Sequence, residues 1–357
     1  MPRPLLVTAE PALLDDVLRL AATAGVEVDV AHEVAGARRR WDAAPLVLVG
    51  PDLLDPLANA GLPRRAGVAV LGADLDDASI WQRAIVVGAE HVLFLPDAES
   101  WLLEALADAA EGPGRHGVVV AVLGGRGGAG ATTLAVALAL SAVRREHPVL
   151  LVDGDPLGGG IDLVFGGEHV TGLRWPELGG TRGRVPAPAL LAALPRLSGL
   201  SVLSWDRGEP ATLSVEALGA VLAAGRRCAD LVVVDLPRSL DEPGREVLSR
   251  ADVTLLVVPT ELRAAAAAAR VATQAALVCN DLRLVVRGPS PGGVSPELLA
   301  RSLGLPLAGE CRAEPGLDAA LERGDAPGQS PRSPLARMCD RLLDDLLPDV
   351  LRERWAA

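Results

Sequence analysis

The densest chemical signal in the chain is the run Gly124-Gly125-Arg126-Gly127-Gly128-Ala129-Gly130-Ala131-Thr132-Thr133. Glycines at this density let successive backbone N–H groups turn inward and cradle phosphate oxygens, and a following helix adds the positive end of its dipole. Gly125 and Gly130 fall on the spacing of the phosphate-loop pattern GxxxxGK[ST], and Thr132 stands where a hydroxyl ligates Mg²⁺. Ala131 occupies the lysine position. No lysine occurs anywhere in the 357 residues, so no step can use an ε-ammonium. Behind the loop, three apolar runs end on acids: Val149–Asp153 with Asp155 two residues on, Leu231–Asp235, and Val257–Pro259 leading to Glu261. A glycine-rich turn that binds nothing is the plainer alternative. Three acid-tipped strands in this order weigh against it.

Those residues need strands that end together and a helix behind the loop. Val118–Leu123 reads as a strand and Thr132 to about Val143 as a helix. Further strands are expected at Val149–Val152, Leu200–Ser204, Leu231–Val234, Val253–Val258 and Leu282–Val286. Ala264–Ala269 is a low-complexity alanine run inside a helix. Leu335, Met338, Leu342, Leu343, Leu346 and Leu347 make a helical stripe that Pro348 stops. Upstream, Leu5–Thr8, Val26–Val30, Leu46–Val49, Val68–Leu71 and His91–Leu95 alternate with helical segments such as Trp81–Val87 and Glu99–Ala110. Five such units imply a parallel sheet with helices on both faces. The expected organisation is an α/β domain at 1–111, a breaker-rich linker at 112–117, a larger α/β domain at 118–334 and a C-terminal helix at 335–357.

Composition narrows the function classes. A formal charge of −12 argues against bulk nucleic-acid binding. No apolar run reaches the roughly eighteen residues of a membrane helix. Glu10, Asp15 and Asp16 interrupt the first twenty residues, which therefore do not read as a signal peptide. Cys228, Cys279, Cys311 and Cys339 lack CxxC spacing, as expected of thiols in a reducing cytoplasm.

From Val118 to about Pro327 the chain resembles the deviant-Walker ATPases of the MinD/ParA group. Their loop KGGxGK[ST] is matched by Arg126, Gly127, Gly128, Ala129, Gly130, Ala131 and Thr132. The resemblance implies ATP or ADP with Mg²⁺ as cofactors, with Thr133 continuing the phosphate contacts. It puts Arg126 at the signature position that reaches across a nucleotide-sandwich homodimer. It makes Asp153 and Asp155 the switch I acids, Asp155 positioning water. Asp235, with Pro237, becomes the switch II acid, so that Thr132, Asp153 and Asp235 serve the metal, partly through water. Pro259, Glu261 and Arg287 fall beside the base.

The first domain resembles a CheY-like receiver stripped of its chemistry. Gly50 stands at the phospho-acceptor, Leu95 at the lysine, and Thr8 and Ala9 at the acid pair, with Glu10 the remaining acid nearby. A pseudo-receiver joined to such an ATPase domain is the layout of the CpaE/TadZ-like proteins, and the lysine-free loop is similar to that of their septum site-determining branch. That resemblance implies a regulatory protein, degenerate as an ATPase, recruited by septum or pilus-secretion partners to pole, septum or membrane. The alternatives are a working ATPase cycle and a nucleotide-free scaffold. An iron–sulfur reductase on this scaffold would need cysteines near the switch strands, and Cys228 precedes its strand at the far end. The C-terminal helix differs from the basic membrane tip of MinD: Arg337, Asp340, Arg341, Asp344 and Asp345 give it an acidic, mixed-charge face suited to packing on its own domain.

Overall fold

The computed structural model describes residues 3–72, 77, 79–111, 117–181, 185–208, 212–289, 292–312, 314 and 316–347. Of the expected linker at 112–117, residues 112–116 lie outside them, as does the tail beyond 347. The chain divides into two units, Met1–Gly114 and Arg115–Ala357.

In the first unit, strands β1 (Leu5–Val7), β2 (Asp29–Ala31), β3 (Val47–Val49), β4 (Val68–Gly72) and β5 (His91–Phe94) form a parallel sheet in the order β2-β1-β3-β4-β5. Helices α1 (Pro11–Ala24), α2 (Val34–Arg38), α3 (Leu54–Asn59), α4 (Ser79–Val87) and α5 (Glu99–Glu111) cover it. Alternate strand residues feed two cores: Val7, Val49 and Val70 on one face, Leu6, Leu48 and Leu71 on the other. The second strand lies later than Val26–Val30. Gly25 takes φ +68° to end α1 and the Val26 amide bonds back to Ala21, which delays the extended segment to Asp29.

The second unit holds an eight-stranded sheet in the order β13-β12-β11-β6-β10-β7-β9-β8. Its strands are β6 (Val118–Gly124), β7 (Val149–Asp153), β8 (Arg196–Leu197), β9 (Leu200–Leu203), β10 (Leu231–Leu236), β11 (Val253–Pro259), β12 (Leu282–Arg287) and β13 (Leu307–Cys311). All pairings are parallel except β8 with β9. The helices are α6 (Ala131–Arg144), α7 (Trp175–Leu178), α8 (Ala187–Ala193), α9 (Val215–Cys228), α10 (Glu242–Arg250), α11 (Leu262–Ala275), α12 (Pro296–Leu303), α13 (Leu317–Leu321) and α14 (Pro334–Leu346).

The four central strands β6, β7, β10 and β11 are buried on both faces and read as near-continuous Val/Leu runs, interrupted by Ala121 in β6 and Thr254 in β11, as parallel strands covered twice do. Helix α6 is buried all round from Leu134 to Ala142 because sheet and α14 sandwich it. The leucine stripe of α14 packs into this same core, through Leu335, Met338, Leu342 and Leu343. On the polar side of α14, Arg145 binds Asp344 at 2.7 Å and the Asp340 carbonyl at 2.7 Å. No helix among the described residues is long and apolar enough to cross a membrane.

Candidate functional site

The carboxyl ends of β6, β7, β10, β11 and β12 meet at one edge of the second sheet, where open α/β folds bind ligands. The register aligns Asp235 of β10 with Asp153 of β7 and Arg287 of β12 with Pro259 of β11. Strand β6 leads directly into the glycine loop. Gly125 donates to the Val257 carbonyl at 2.9 Å, and a Cβ there would stand 2.6 Å from the Ala268 Cβ. The alanine run is thus the small-residue face that lets α11 press against the loop backbone. Gly130 caps α6 at φ +98°, a conformation that other residues reach only with strain, and it offers no side-chain cap. By contrast Ser214, Asp241, Ser295 and Ser333 cap α9, α10, α12 and α14. The first-turn amides of α6 therefore keep their capacity for an anion. Gly127 faces open space: a Cβ on it would meet nothing within 4 Å.

Thr132, in the first turn of α6, donates its hydroxyl to Asp235 Oδ2 at 2.6 Å. Asp235 is 5 % exposed, and burial pushes its carboxyl up to about 7, against the opposing Thr132 hydrogen bond. The other oxygen, Oδ1, is buried without a partner. A buried carboxylate half satisfied beside a hydroxyl, under a glycine-rich loop at a helix start, is a donor set that fits a hydrated Mg²⁺ arriving with phosphates. The described residues contain no cluster of three or more His, Cys, Asp or Glu side chains able to hold a metal alone.

Asp153 is placed differently. Its oxygens accept from Ile161 N at 2.7 Å, Ser204 Oγ at 3.2 Å and Asp155 N at 3.2 Å, and burial raises it to about 6. It holds the loop after β7 in shape, and a water-mediated metal contact competes with these three bonds. Asp155 is half-buried and accepts from Leu157 N at 3.0 Å. Below them lies a cluster that no sequence pattern announced. Fully buried Asp162 accepts from Arg207 at 2.7 and 2.9 Å and from Arg174 at 3.1 Å. Burial pushes Asp162 up, but the bonds and charge of Arg207 and Arg174 outweigh it and leave the carboxyl below its ordinary value.

Of the expected cations, Arg126 is engaged by its own chain: Nη2 meets Glu261 Oε1 at 2.9 Å and Nη1 meets the Gly127 carbonyl at 3.0 Å. Glu261 therefore faces the loop mouth. Arg287 lines a cavity of about 480 Å³ with Gly130, Thr133, Cys311 and Glu314, under α13. Pro259 and Glu261 are outside its lining. The contribution of β13 and α13 to this cavity was not legible in the sequence. No disulfide links the four cysteines, and Cys228 ends α9 on the approach to β10, at the opposite end of that strand from Asp235.

In the first unit the receiver position is filled from within. Asp52 accepts from Thr8 Oγ1 at 2.8 Å and from Ala9 N at 2.7 Å. A Cβ on Gly50 would lie 2.5 Å from Asp52 Oδ1 and 2.6 Å from Thr8 Oγ1. The sequence pointed to Glu10 as the remaining acid; Asp52, two residues past Gly50, is the one bonded to Thr8 and Ala9.

Residues 7–118 match the family described as Rv3660c-like, CheY-like N-terminal domain. Over 321 residues the chain is 45 % identical to the protein Rv3660c of Mycobacterium tuberculosis (strain ATCC 25618 / H37Rv), covering 88 % of this chain and 90 % of that one. A stretch of 119 residues is 39 % identical to maintenance of carboxysome distribution protein A of Gloeobacter kilaueensis, 33 % of this chain and 49 % of the relative. Among solved structures, the MinD cell division protein of Aquifex aeolicus superimposes with a TM-score of 0.54, at 23 % identity, over 65 % of this chain and 98 % of MinD. At that identity the likeness shows the fold: a CheY-like domain followed by a MinD/ParA-like P-loop domain.

Proposed function

This chain belongs to the family of Rv3660c-like proteins, and we propose that it is a positioning protein whose second domain binds ATP or ADP with Mg²⁺ and pairs with a second copy, with little or no hydrolysis. In this reading it belongs to the CpaE/TadZ-like branch and places a septum-site or Tad-type pilus assembly. The observation that carries the reading is the Thr132–Asp235 pair, with its orphaned oxygen, beside a helix start that no side chain caps. The names of two relatives of this fold, a cell division protein and a carboxysome distribution protein, support a positioning role.

The chain's own residues divide the work as follows. Backbone amides of Gly127, Gly128 and Gly130–Thr133 receive phosphate oxygens, while the Gly125 and Ala129 amides fix the loop through the Val257 and Arg126 carbonyls. Thr132 and Asp235 serve the metal, which when bound neutralises phosphate charge. Asp155 orients water, and Arg287 lines the cavity beside Gly130 and Thr133. Arg126 is held by Glu261 until a second copy or a phosphate chain competes for it. Ala131 supplies no cation, and loss of such transition-state stabilisation costs several kcal/mol, which is the reason for slow turnover.

The test is titration of the purified chain with ATP and Mg²⁺, with molecular size followed in parallel and phosphate release measured on the same samples. Saturable binding, dimer formation and negligible phosphate release are expected. Rapid turnover would make it a motor, and absence of binding a scaffold.

A further inference from the structure

We propose that Arg287, from the end of β12, supplies the cation that the phosphate loop itself lacks, contacting the phosphate chain of the nucleotide instead of its base. This rests on the reading that the loop binds nucleotide. Ala131 leaves the loop without an ammonium, and Arg126 spends its guanidinium on Glu261 and the Gly127 carbonyl. Arg287 lies on the loop itself. Its Nη1 donates to the Gly128 carbonyl at 3.3 Å, and a Cβ on Gly130 would stand 3.3 Å from Nη1 and 3.6 Å from Cδ. The side chain therefore runs across the glycine that caps α6, at the point where the loop meets the cavity it shares with Thr133.

The position is built on rigid backbone. The Arg287 carbonyl accepts from Thr260 N at 3.1 Å, and Gly288 N bonds the Cys311 carbonyl at 2.9 Å, so neighbouring chain segments pin the residue on both sides. Glycine at 130 is what admits the guanidinium: any side chain there would meet it. The bond to the Gly128 carbonyl is long and its acceptor neutral. A phosphate oxygen offers a charged acceptor, roughly twice as strong, and matches the planar fork of arginine in two-point geometry. A lysine at 131 reaches the phosphates from the helix; an arginine at 287 reaches them from the neighbouring sheet edge.

The experiment compares the full chain with Arg287→Gln and Arg287→Lys, using ATP, tripolyphosphate and adenosine as probes in Mg²⁺ buffer, with thermal unfolding as the check on folding. The expected result is a roughly tenfold to hundredfold loss of ATP and tripolyphosphate affinity in Arg287→Gln. Adenosine should change less than about twofold, Arg287→Lys should recover only part of the loss because it restores the charge without the two-point fork, and added salt should shrink the difference between Arg287→Gln and the parent. A parent that binds ATP beside an Arg287→Gln chain that binds it equally well overturns the proposal and leaves nucleotide binding standing. Equal losses for adenosine and ATP also overturn it, returning Arg287 to the base. A parent that binds none of the probes overturns both.

Discussion

Replacing Asp235 with asparagine keeps the shape of the side chain and removes its charge. Asp235 is 5 % exposed, and burial raises its carboxyl from 3.8 to about 7. Its folded-state value therefore lies above its unfolded one. Between about pH 4 and pH 7 the folded chain holds a proton that the unfolded chain has released, so stability falls by about 1.4 kcal/mol per pH unit. Above pH 7 the ionised carboxylate costs the nucleotide-free fold on the order of 4 kcal/mol. The asparagine amide titrates nowhere, so Asp235→Asn should stabilise the protein by about 1–2 kcal/mol at pH 5 and about 4 kcal/mol at pH 8. At pH 8 that corresponds to a rise of about 8–16 °C in melting temperature for a unit of this size. The assay is urea unfolding of parent and variant in chelator at both pH values. With Mg²⁺ and ATP the order should reverse, because the ligand stabilises the parent through the ionised acid and the variant has lost that acid. A gain equal at pH 5 and pH 8, or a variant less stable than the parent in chelator at pH 8, would refute the assignment of Asp235 as a desolvated carboxylate waiting for a metal.

Two further outcomes follow from the same geometry. Incubating the protein with a small phosphodonor and Mg²⁺ should leave the N-terminal domain unlabelled, since Gly50 offers no carboxylate and Asp52 is held by Thr8 and Ala9; stoichiometric acid-labile phosphate on that domain contradicts this. Ala131→Lys should strengthen ATP binding by about one to two decades, raise phosphate release, or do both, because Thr132 and Asp235 already stand in place; a folded variant with neither gain shows that the site has lost more than its lysine.

The central strands were legible because burial on both faces makes nearly all their residues Val or Leu whatever their neighbours, and the acids near the ends of β7 and β10 break the run sharply. Asp153 and Asp235 could be found in this way. What they bond to could not. Ser204, Asp162, Arg174 and Arg207 reach the site from loops with no periodicity, and their meeting is a tertiary fact. Strand β13 escaped notice because Leu307–Cys311 is a partly exposed edge strand without alternation. With it went the far wall of the cavity beside Arg287. The alanine run looked like low complexity; its reason, a backbone approach so close that a Cβ on Gly125 would stand 2.6 Å from the Ala268 Cβ, exists only when the loop after β6 and α11 are side by side. The pairing of Arg126 with Glu261, 135 residues apart in sequence, is likewise a property of the assembled sheet edge.

The Thr8–Asp52 pair also limits what a geneticist can learn from the first domain. Acidic substitution of a phospho-acceptor is the usual way to lock a receiver in its signalling form. Here an Asp or Glu at position 50 would push its first side-chain carbon to 2.5 Å from the Asp52 carboxylate and 2.6 Å from the Thr8 hydroxyl. Such an allele would report a steric collision and two like charges forced together, so a loss of function in the cell would say nothing about signalling. Informative alleles of this domain lie away from the ends of β1 and β3, where a change can alter what the domain touches without prising apart the Thr8–Asp52 pair.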